Sequence, residues 1–256
     1  MNSEEPMRDD EGIYDYENVV ECKLKIPDSK ERHVIPELLE DVERIKELKS
    51  KVSREEAVEE IESEHMRYLL YDRKTLRECV PVMFERLGLI EKFKIDKEKL
   101  NHLVKDVSIR MKRVPYHNFT HAFNIMHMCY IIIRKTHIRD YIDDVDVLSC
   151  LIGALGHDLD HPGFNNIYFV KLRHPIALKF NDQGVLENYH AYMLTKLLSD
   201  PKNDILSGLS PEELWRFRKS YIEAILGTEM LKHVPICGKF NDVVKKIQER
   251  TFDKSN

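Results

Sequence analysis

The stretch from Val145 to Gly156 constrains the fold more than any other part of the chain, because it is apolar nearly all round. A helix without a polar face has no side to present to water, so it is buried among other helices. The run from His157 to His161, which reads His-Asp-Leu-Asp-His, follows directly. Imidazoles and carboxylates are costly at the end of a buried element unless they are paired or bind a metal. We therefore predict that this run carries the chemistry of the chain.

Apolar residues at helical spacing recur along most of the chain, whereas strand patterns are nearly absent. The segment 53–56 fits a capping box, and the segment 210–213 combines an N-cap serine, a proline and two early acids. We predict an all-α fold, a multi-helix bundle formed by one domain over residues 35–256. Helices are predicted at residues 38–48, 53–61, 74–87, 96–112, 118–134, 144–156, 186–198, 211–226 and 241–250. The first two could instead form a charged pair outside the main domain.

The formal net charge of −5 is concentrated near the N-terminus. Residues 1–21 hold eight acids against the single base Arg8, and the remaining chain is nearly neutral, with 39 bases and 37 acids. Acids, turn formers and few large apolar groups predict that residues 1–34 are a disordered acidic extension. Because no basic stripe is present, nucleic acid is not an expected partner.

Neither a membrane-spanning run nor a signal peptide is visible in the sequence. The five cysteines are odd in number, widely scattered and never arranged as a CxxC pair. Such cysteines are typical of small reduced core residues rather than of disulfides. The sequence therefore predicts a cytoplasmic protein without a membrane span.

Four histidines and one aspartate form the candidate site. His117 and His121 are four residues apart, a spacing that places both side chains on one face of a helix. His157 and Asp158 are adjacent ligands of different types, since imidazole suits zinc and a carboxylate suits a harder ion. One histidine alone is more often a packing or surface residue, but four with Asp158 favour a metal site. A phosphoryl hydrolase also needs an acid for the leaving oxygen, which a histidine outside the ligand set provides.

Four segments carry a resemblance to a known family. They are Tyr116–Ala122, His157–Asn166, Leu186–His190 and Ile225–His233. In order and separation they resemble successive motifs of the eukaryotic class I 3′,5′-cyclic nucleotide phosphodiesterases, from about residue 76 to the end of the chain. The resemblance implies a bundle of the HD/phosphodiesterase type and an enzyme that hydrolyses cyclic AMP, cyclic GMP or both to the 5′-monophosphate.

The resemblance also implies cofactors and the roles of individual residues. Two divalent ions, Zn²⁺ and Mg²⁺ or Mn²⁺, would share the attacking hydroxide, with Asp158 bridging them. His117 would be the general acid for the 3′ oxygen. The other implied residues are the metal ligands His121, His157 and Asp158, the residues His161, Glu187 and Thr228 that orient metal-bound waters, and the nucleotide-pocket residues Tyr116 and Met230.

Two further motif residues leave alternatives open. Asn166 either caps the turn opened by Pro162 and Gly163 or contacts substrate. His190 either packs in the core or supports the ligands from behind. His127 matches no motif and is predicted to have no role in the site.

The chain departs from the family pattern in three places. Glu229 stands where the family usually has Asp, and Tyr189 stands where it usually has His. Residues 252–256 match the segment before the helix with the final metal-binding Asp, so the bundle is predicted to lack its last helices. If 256 residues are the whole molecule, three protein ligands instead of about four predict weak metal binding and slow or absent hydrolysis. The uncovered apolar face would favour oligomerisation.

Two alternatives to a cyclic nucleotide phosphodiesterase stay open. One is a phosphohydrolase of a different HD type, which would leave the segments Tyr116–Ala122 and Leu186–His190 unexplained. The other is a non-catalytic or inactive truncated module with a regulatory or interaction role. The missing final ligand supports that second alternative.

Overall fold

The structure is a computed structural model that describes residues 47–48 and 51–253, with side chains described as far as residue 248. These residues form eleven α-helices, two short 3-10 turns and no strand. The helices are α1 (Arg54–Glu60), α2 (Arg73–Arg86), α3 (Leu89–Lys92), α4 (Lys97–Arg110), α5 (Phe119–Lys135), α6 (Asp144–Gly156), α7 (Asn166–Lys171), α8 (Pro175–Lys179), α9 (Val185–Leu198), α10 (Pro211–Gly227) and α11 (Met230–Asp253). The 3-10 turns are His137–Asp140 and Pro201–Asn203. The predicted all-α fold is confirmed.

Two predictions fall on parts of the chain outside the described residues. They are the disordered extension over residues 1–34 and, apart from residues 47 and 48, the helix over residues 38–48. The predicted domain boundary at residue 35 lies there as well. These three stay predictions.

The sequence pattern misses three helices and shortens a fourth. The missed helices α3, α7 and α8 have four to six residues, which is too short for a helical period to stand out. The fourth, α11, begins at Met230 and not at residue 241. Pro235 and Gly238 disfavour a helix interior, so they hide its first half in the sequence.

Local capping explains where several helices begin. The Ser210 hydroxyl accepts the backbone N–H of Glu213, and the Glu213 carboxylate accepts the N–H of Ser210, so the capping box of α10 is complete. The Ser53 hydroxyl accepts the N–H of Glu56 at the start of α1. The Asn118 side chain accepts two N–H groups at the start of α5. These bonds satisfy donors that have no partner inside the helix.

The central element of the bundle is α6. It lies between α5 and α10, and ten of its thirteen residues are buried. Leu148 and Leu151 have no exposed surface, so the apolar stretch is covered as the sequence predicts. At its end, Gly156 faces Leu194 of α9, and a Cβ there would lie 2.7 Å from a Leu194 methyl carbon. The small residue lets α9 approach the end of α6, where the histidine run begins.

Helix α11 differs from the buried helices because its large apolar side chains face solvent. They are Met230, Leu231, Val234, Ile236, Phe240, Val243 and Ile247. The exposed apolar face expected from the sequence is therefore present, while oligomerisation through it stays a prediction. Over the part of the chain that the structure describes, no helix combines the length and the apolar character needed to cross a bilayer.

Gly208 provides a test of how the segment before α10 packs. A Cβ at this position would overlap the backbone carbonyl oxygen of Phe93, which no side-chain rotation can relieve. We expect Gly208→Ala to lower the free energy of unfolding by roughly 1–3 kcal/mol through overpacking. Urea unfolding followed by circular dichroism measures this change.

Gly227→Ala is the matched control for Gly208→Ala. Gly227 is the last residue of α10, and a Cβ there would meet no atom within 4 Å. Because alanine favours a helix over glycine, we expect Gly227→Ala to leave stability unchanged or raise it by up to about 1 kcal/mol. Equal stability in the two variants would contradict the described contact at Gly208.

Candidate metal centre

The C-terminal end of α6 delivers the first ligands. The helix ends at Gly156, and His157 is its C-cap residue. The Nδ1 atom of His157 donates a hydrogen bond to the carbonyl oxygen of Ala154 at 2.8 Å, because a carbonyl can only accept. The bond fixes the ring orientation and, when His157 is neutral, leaves the lone pair on Nε2. This is the arrangement typical of a histidine that ligates a metal.

Three ligand atoms converge at this end of the bundle. The Nε2 atoms of His121 and His157 lie 3.2 Å apart. Asp158 Oδ2 lies 3.3 Å from the first and 3.2 Å from the second. Although this oxygen is buried, it accepts no hydrogen bond of adequate geometry from any described group. A buried oxygen without a partner is costly, and a cation between the three atoms would remove that cost, so the residues fit a divalent ion.

The pKa shifts of Asp158 and His157 are those expected of a site that holds a positive charge. Burial alone would raise the pKa of Asp158, but the imidazoles of His121 and His157 hold it well below its ordinary range. At His157, burial favours the neutral ring, yet the Asp158 carboxylate outweighs it and raises the pKa. A metal ion binds only the neutral imidazole of His157, so protons compete with the metal and binding is expected to weaken as the pH falls.

A second group of possible ligands shares Asp158. His161 and His190 join it, and their ligand atoms lie within 4.8 Å of one another. Burial is the main cause that lowers the pKa of His161 to about 4, and electrostatic repulsion from the nearby His117 is the second cause. Burial lowers the pKa of His190 to about 3. Both rings are therefore neutral at pH 7. His161 Nδ1 accepts the Gly163 N–H at 2.9 Å, so the proton of its neutral ring is on Nε2, which can only donate. His190 donates through Nδ1, so its Nε2 can accept or ligate.

His190 and His127 are both buried, and their hydrogen bonds show which of them lies near the centre. The Nδ1 atom of His190 donates to the carbonyl oxygen of Leu159 at 2.7 Å, and its Nε2 atom lies 4.0 Å from Asp158 Oδ1. Of the two alternatives for His190, the structure favours support of the ligands. His127 is equally buried but is hydrogen bonded to the carbonyl of Ile61, away from this group.

His117 lies beside the ligands but not on their helix. His117 and His121 do not share one helical face, because Asn118 is the N-cap of α5 and His117 precedes the helix, in agreement with the helix predicted over residues 118–134. Their ring centroids are nevertheless 5.8 Å apart, and His117 stacks on His161 with centroids 4.0 Å apart. Burial lowers the pKa of His117. The ring is thus close to the centre without being one of its converging ligands.

The remaining predicted residues are spread around the centre. The Tyr116 ring is 64% exposed and lies with its centroid 4.5 Å from that of His121. Glu187 accepts from the Asn166 amide at 2.8 Å. The Thr228 hydroxyl donates to the carbonyl of Ile225 in its own helix end, and Met230 is 76% exposed. The structure therefore places Tyr116 against the histidines. The hydrogen bonds of Glu187 and Thr228 are made to residues outside this group, and Met230 is exposed to solvent.

Asn166 caps neither the turn opened by Pro162 and Gly163 nor the start of α7. The cap of α7 is Asn165, whose side chain accepts the N–H of Tyr168. Asn166 instead donates to Glu187 and accepts the N–H of Leu186 at 2.8 Å. The capping alternative for Asn166 is thus wrong, and its side chain fixes the first turn of α9.

A bundle in which histidines and an aspartate converge at the end of its central helix defines a helical protein with a candidate divalent-metal centre. The sequence profile of the 3′5′-cyclic nucleotide phosphodiesterase family matches residues 116–256, which is more than half of the chain. The chain belongs to this family. The resemblance found in the four sequence segments is confirmed.

Individual relatives and structures agree. The high affinity cGMP-specific 3′,5′-cyclic phosphodiesterase 9A of Drosophila melanogaster is 36% identical over 174 residues, covering 68% of this chain and 11% of the relative. The 3′,5′-cyclic-nucleotide phosphodiesterase regA of Dictyostelium discoideum is 36% identical over 171 residues, covering 66% of this chain and 22% of the relative. The phosphodiesterase domain of Salpingoeca rosetta rhodopsin phosphodiesterase matches with a TM-score of 0.70 and 30% identity, covering 75% of this chain and 59% of that one. The chain spans less than a quarter of either curated relative.

Asp158→Asn tests the metal centre directly. We expect Zn²⁺ at about 100 times its Kd to stabilise the unsubstituted chain by roughly 2.7 kcal/mol, which raises the melting temperature by several degrees. Asp158→Asn should lose most of this shift, because it removes the charge shared by His121 and His157. Differential scanning fluorimetry with and without Zn²⁺ measures both.

The control variant removes a histidine outside the proposed centre. His137→Ala changes a side chain that is 98% exposed and should keep the full shift. Cys237 Sγ lies 3.6 Å from His233 Nε2 on α11, so the comparison is best made in a Cys237→Ser background that removes this competing pair. A full zinc-induced shift in Asp158→Asn would contradict the proposed ligand set.

Proposed function

We propose that the chain hydrolyses a 3′,5′-cyclic nucleotide to the 5′-nucleoside monophosphate at the centre formed by His121, His157 and Asp158. The observation that carries the proposal is the convergence of three ligand atoms around a buried Asp158 oxygen that has no hydrogen bond. Membership in the phosphodiesterase family supports the reaction class. The names of the two curated relatives support cyclic nucleotides as the substrate class.

The donor set supports two divalent ions, Zn²⁺ and Mg²⁺ or Mn²⁺. His121, His157 and Asp158 would hold the zinc, since two imidazoles and a carboxylate suit it. Asp158 also belongs to the second group, with His161 and His190, so the same carboxylate would help to hold the second ion. When bound, the ions would supply the nucleophile at neutral pH and neutralise charge on the phosphoryl oxygens.

His117 is the proposed proton donor for the 3′ oxygen as its bond to phosphorus breaks. Its ring is stacked against His161, which holds it beside the ligands without adding it to them. A residue outside the ligand set does not have to lose its proton when metal binds, whereas a ligand must lose its proton. This separation supports different roles for His117 and His121.

Five neighbouring residues have proposed supporting roles. His161, Glu187 and Thr228 would orient waters at the centre, and Tyr116 and Met230 would contact the nucleotide. Geometry supports Tyr116 most directly, because its exposed ring lies against His121. For Glu187 the support is its hydrogen bond to Asn166, the last residue of the segment His157–Asn166. Thr228 and Met230 are proposed on the family resemblance alone.

A non-catalytic module of the phosphodiesterase fold is the second candidate function. The observation that favours it is the number of ligands, because the described residues bring three side chains to the zinc position. Three protein ligands with water in the fourth position are also the usual set of a catalytic zinc site, so turnover and not the ligand count separates the two functions. The turnover assay below therefore uses a high protein concentration and long incubation.

His117→Ala tests the proposed reaction. We expect the variant to form 5′-monophosphate from cyclic AMP or cyclic GMP roughly 10²- to 10⁴-fold more slowly, because the leaving oxygen loses its acid. Its Kd for Zn²⁺ should stay within about twofold of the unsubstituted chain, because His117 is not a ligand. Chromatography of the nucleotides and isothermal titration calorimetry give the two values.

His102→Ala, on the exposed surface of α4, is the control and should match the unsubstituted chain. Loss of zinc in His117→Ala would show that the acid and ligand roles are exchanged. A 3′-monophosphate product would contradict the assigned leaving oxygen. An unsubstituted chain that binds zinc but forms no product would favour the non-catalytic module.

A further inference from the structure

Asp160 joins three segments of the chain next to the candidate metal centre. Its Oδ2 atom accepts a hydrogen bond from the Tyr189 hydroxyl at 2.6 Å. Its Oδ1 atom lies 3.1 Å from the ammonium nitrogen of Lys112. Each of the two carboxylate oxygens of Asp160 therefore has its own partner. Sequence reasoning missed this residue because its partners are 48 and 29 positions away along the chain.

Each of these segments carries a residue of the proposed site. Lys112 lies in the connection between α4 and α5, which also holds His117. Asp160 lies in the turn between Asp158 and His161. Tyr189 lies on α9, one residue before His190. The Asp160 carboxylate is thus the common contact of the segments that bear the proposed acid and the proposed ligands.

The contact is shielded from water. The Asp160 and Lys112 side chains are 17% and 31% exposed, and Tyr189 is almost fully buried. Partly buried ion pairs are screened less than surface pairs, and a hydrogen bond to a charged group is stronger than one between neutral groups. The contact is therefore stronger than an exposed ion pair or a hydrogen bond between neutral groups.

The backbone at Asp160 needs such support. Its φ of +63° is in the left-handed region, which non-glycine residues rarely adopt. This conformation turns the chain so that the His161 N–H donates to the Asp158 carbonyl at 3.0 Å. Helix α9 holds two consecutive residues of the turn, because His190 donates to the Leu159 carbonyl and Tyr189 donates to Asp160.

We propose that Tyr189 and Asp160 are positioning residues that set the metal affinity of the centre. Neither one belongs to the converging ligand atoms, and both act by holding the turn that presents Asp158 and His161. The inference rests on the proposed function only in that it requires the Asp158 centre to bind a divalent ion. It adds a determinant of metal affinity at Tyr189, a residue outside the converging ligand atoms.

Zinc titration of four proteins tests the proposal: the unsubstituted chain, Tyr189→Phe, Asp160→Asn and the double variant, all in the Cys237→Ser background. Phenylalanine removes only the hydroxyl, and asparagine tolerates the left-handed backbone. We expect each single variant to weaken zinc binding by roughly three- to tenfold, because Tyr189→Phe loses the hydrogen bond and Asp160→Asn leaves only a neutral acceptor for the hydroxyl and no charge for Lys112. The two effects should be less than additive in the double variant, since both changes weaken the same contact of the turn.

Tyr192→Phe is the matched control, because Tyr192 lies on the same helix but is 42% exposed. It should bind zinc as the unsubstituted chain does. The melting temperature of each metal-free variant is measured as well, and titrations are run where all variants are folded. A merely structural role of Tyr189 would lower that temperature and leave the Kd of the folded protein unchanged.

Lys112→Met repeats the test from the exposed side of the carboxylate if Tyr189→Phe does not fold, and weaker zinc binding is again expected. Unchanged Kd values in Tyr189→Phe or Lys112→Met, or fully additive effects of Tyr189→Phe and Asp160→Asn, would overturn the positioning role. Failure of the proposed function looks different, because the unsubstituted chain would then form no 5′-monophosphate, whatever the order of zinc affinities among the variants. Absence of zinc binding that depends on Asp158 would overturn the metal centre itself.

Discussion

A carboxylate oxygen buried without a hydrogen bond is the constraint on which this structure depends. Asp158 Oδ2 is faced by two imidazole nitrogens at 3.2 and 3.3 Å. The attraction of these rings offsets the cost of burial only when at least one is charged, so the arrangement is electrostatically demanding. Helix α6 produces this burial, because its apolar surface brings the chain inside the bundle just before the ligands. Helices α5 and α10 then cover α6, and α5 adds His121.

The sequence predicts the fold wherever a period is long or a cap is clear. The apolar stretch of α6 and the capping box of α10 predict both helices to within one residue. The short helices α3, α7 and α8 depend on contacts with distant residues, which no local pattern contains. Pro235 shows the opposite case, since a local signal against helix is overridden in α11. Local preference is a weak guide when tertiary context opposes it.

Site residues follow a similar division. The motif spacing predicts His121, His157 and Asp158 as a group, and the structure brings their ligand atoms together. The spacing of His117 and His121 alone would allow both on one helix, whereas the predicted helix start at residue 118, which agrees with the Asn118 cap of α5, leaves His117 outside. Spacing does not predict the contact of Asp160 with Tyr189, because that contact depends on the path of α9 past the turn. Residue identity was therefore readable from the sequence, whereas relative position was not.

The order in which the centre assembles follows from the pairing of α5 with α6. These helices are joined by residues 136–143 and form a hairpin that already contains His121, His157 and Asp158. Contacts close in sequence form sooner than distant ones, because a short loop loses little entropy on closing. A nascent chain would therefore gain its three ligands before α9 arrives with Tyr189 and His190. In this order, the α5–α6 hairpin would bind the ion first, and α9 would strengthen the binding afterwards.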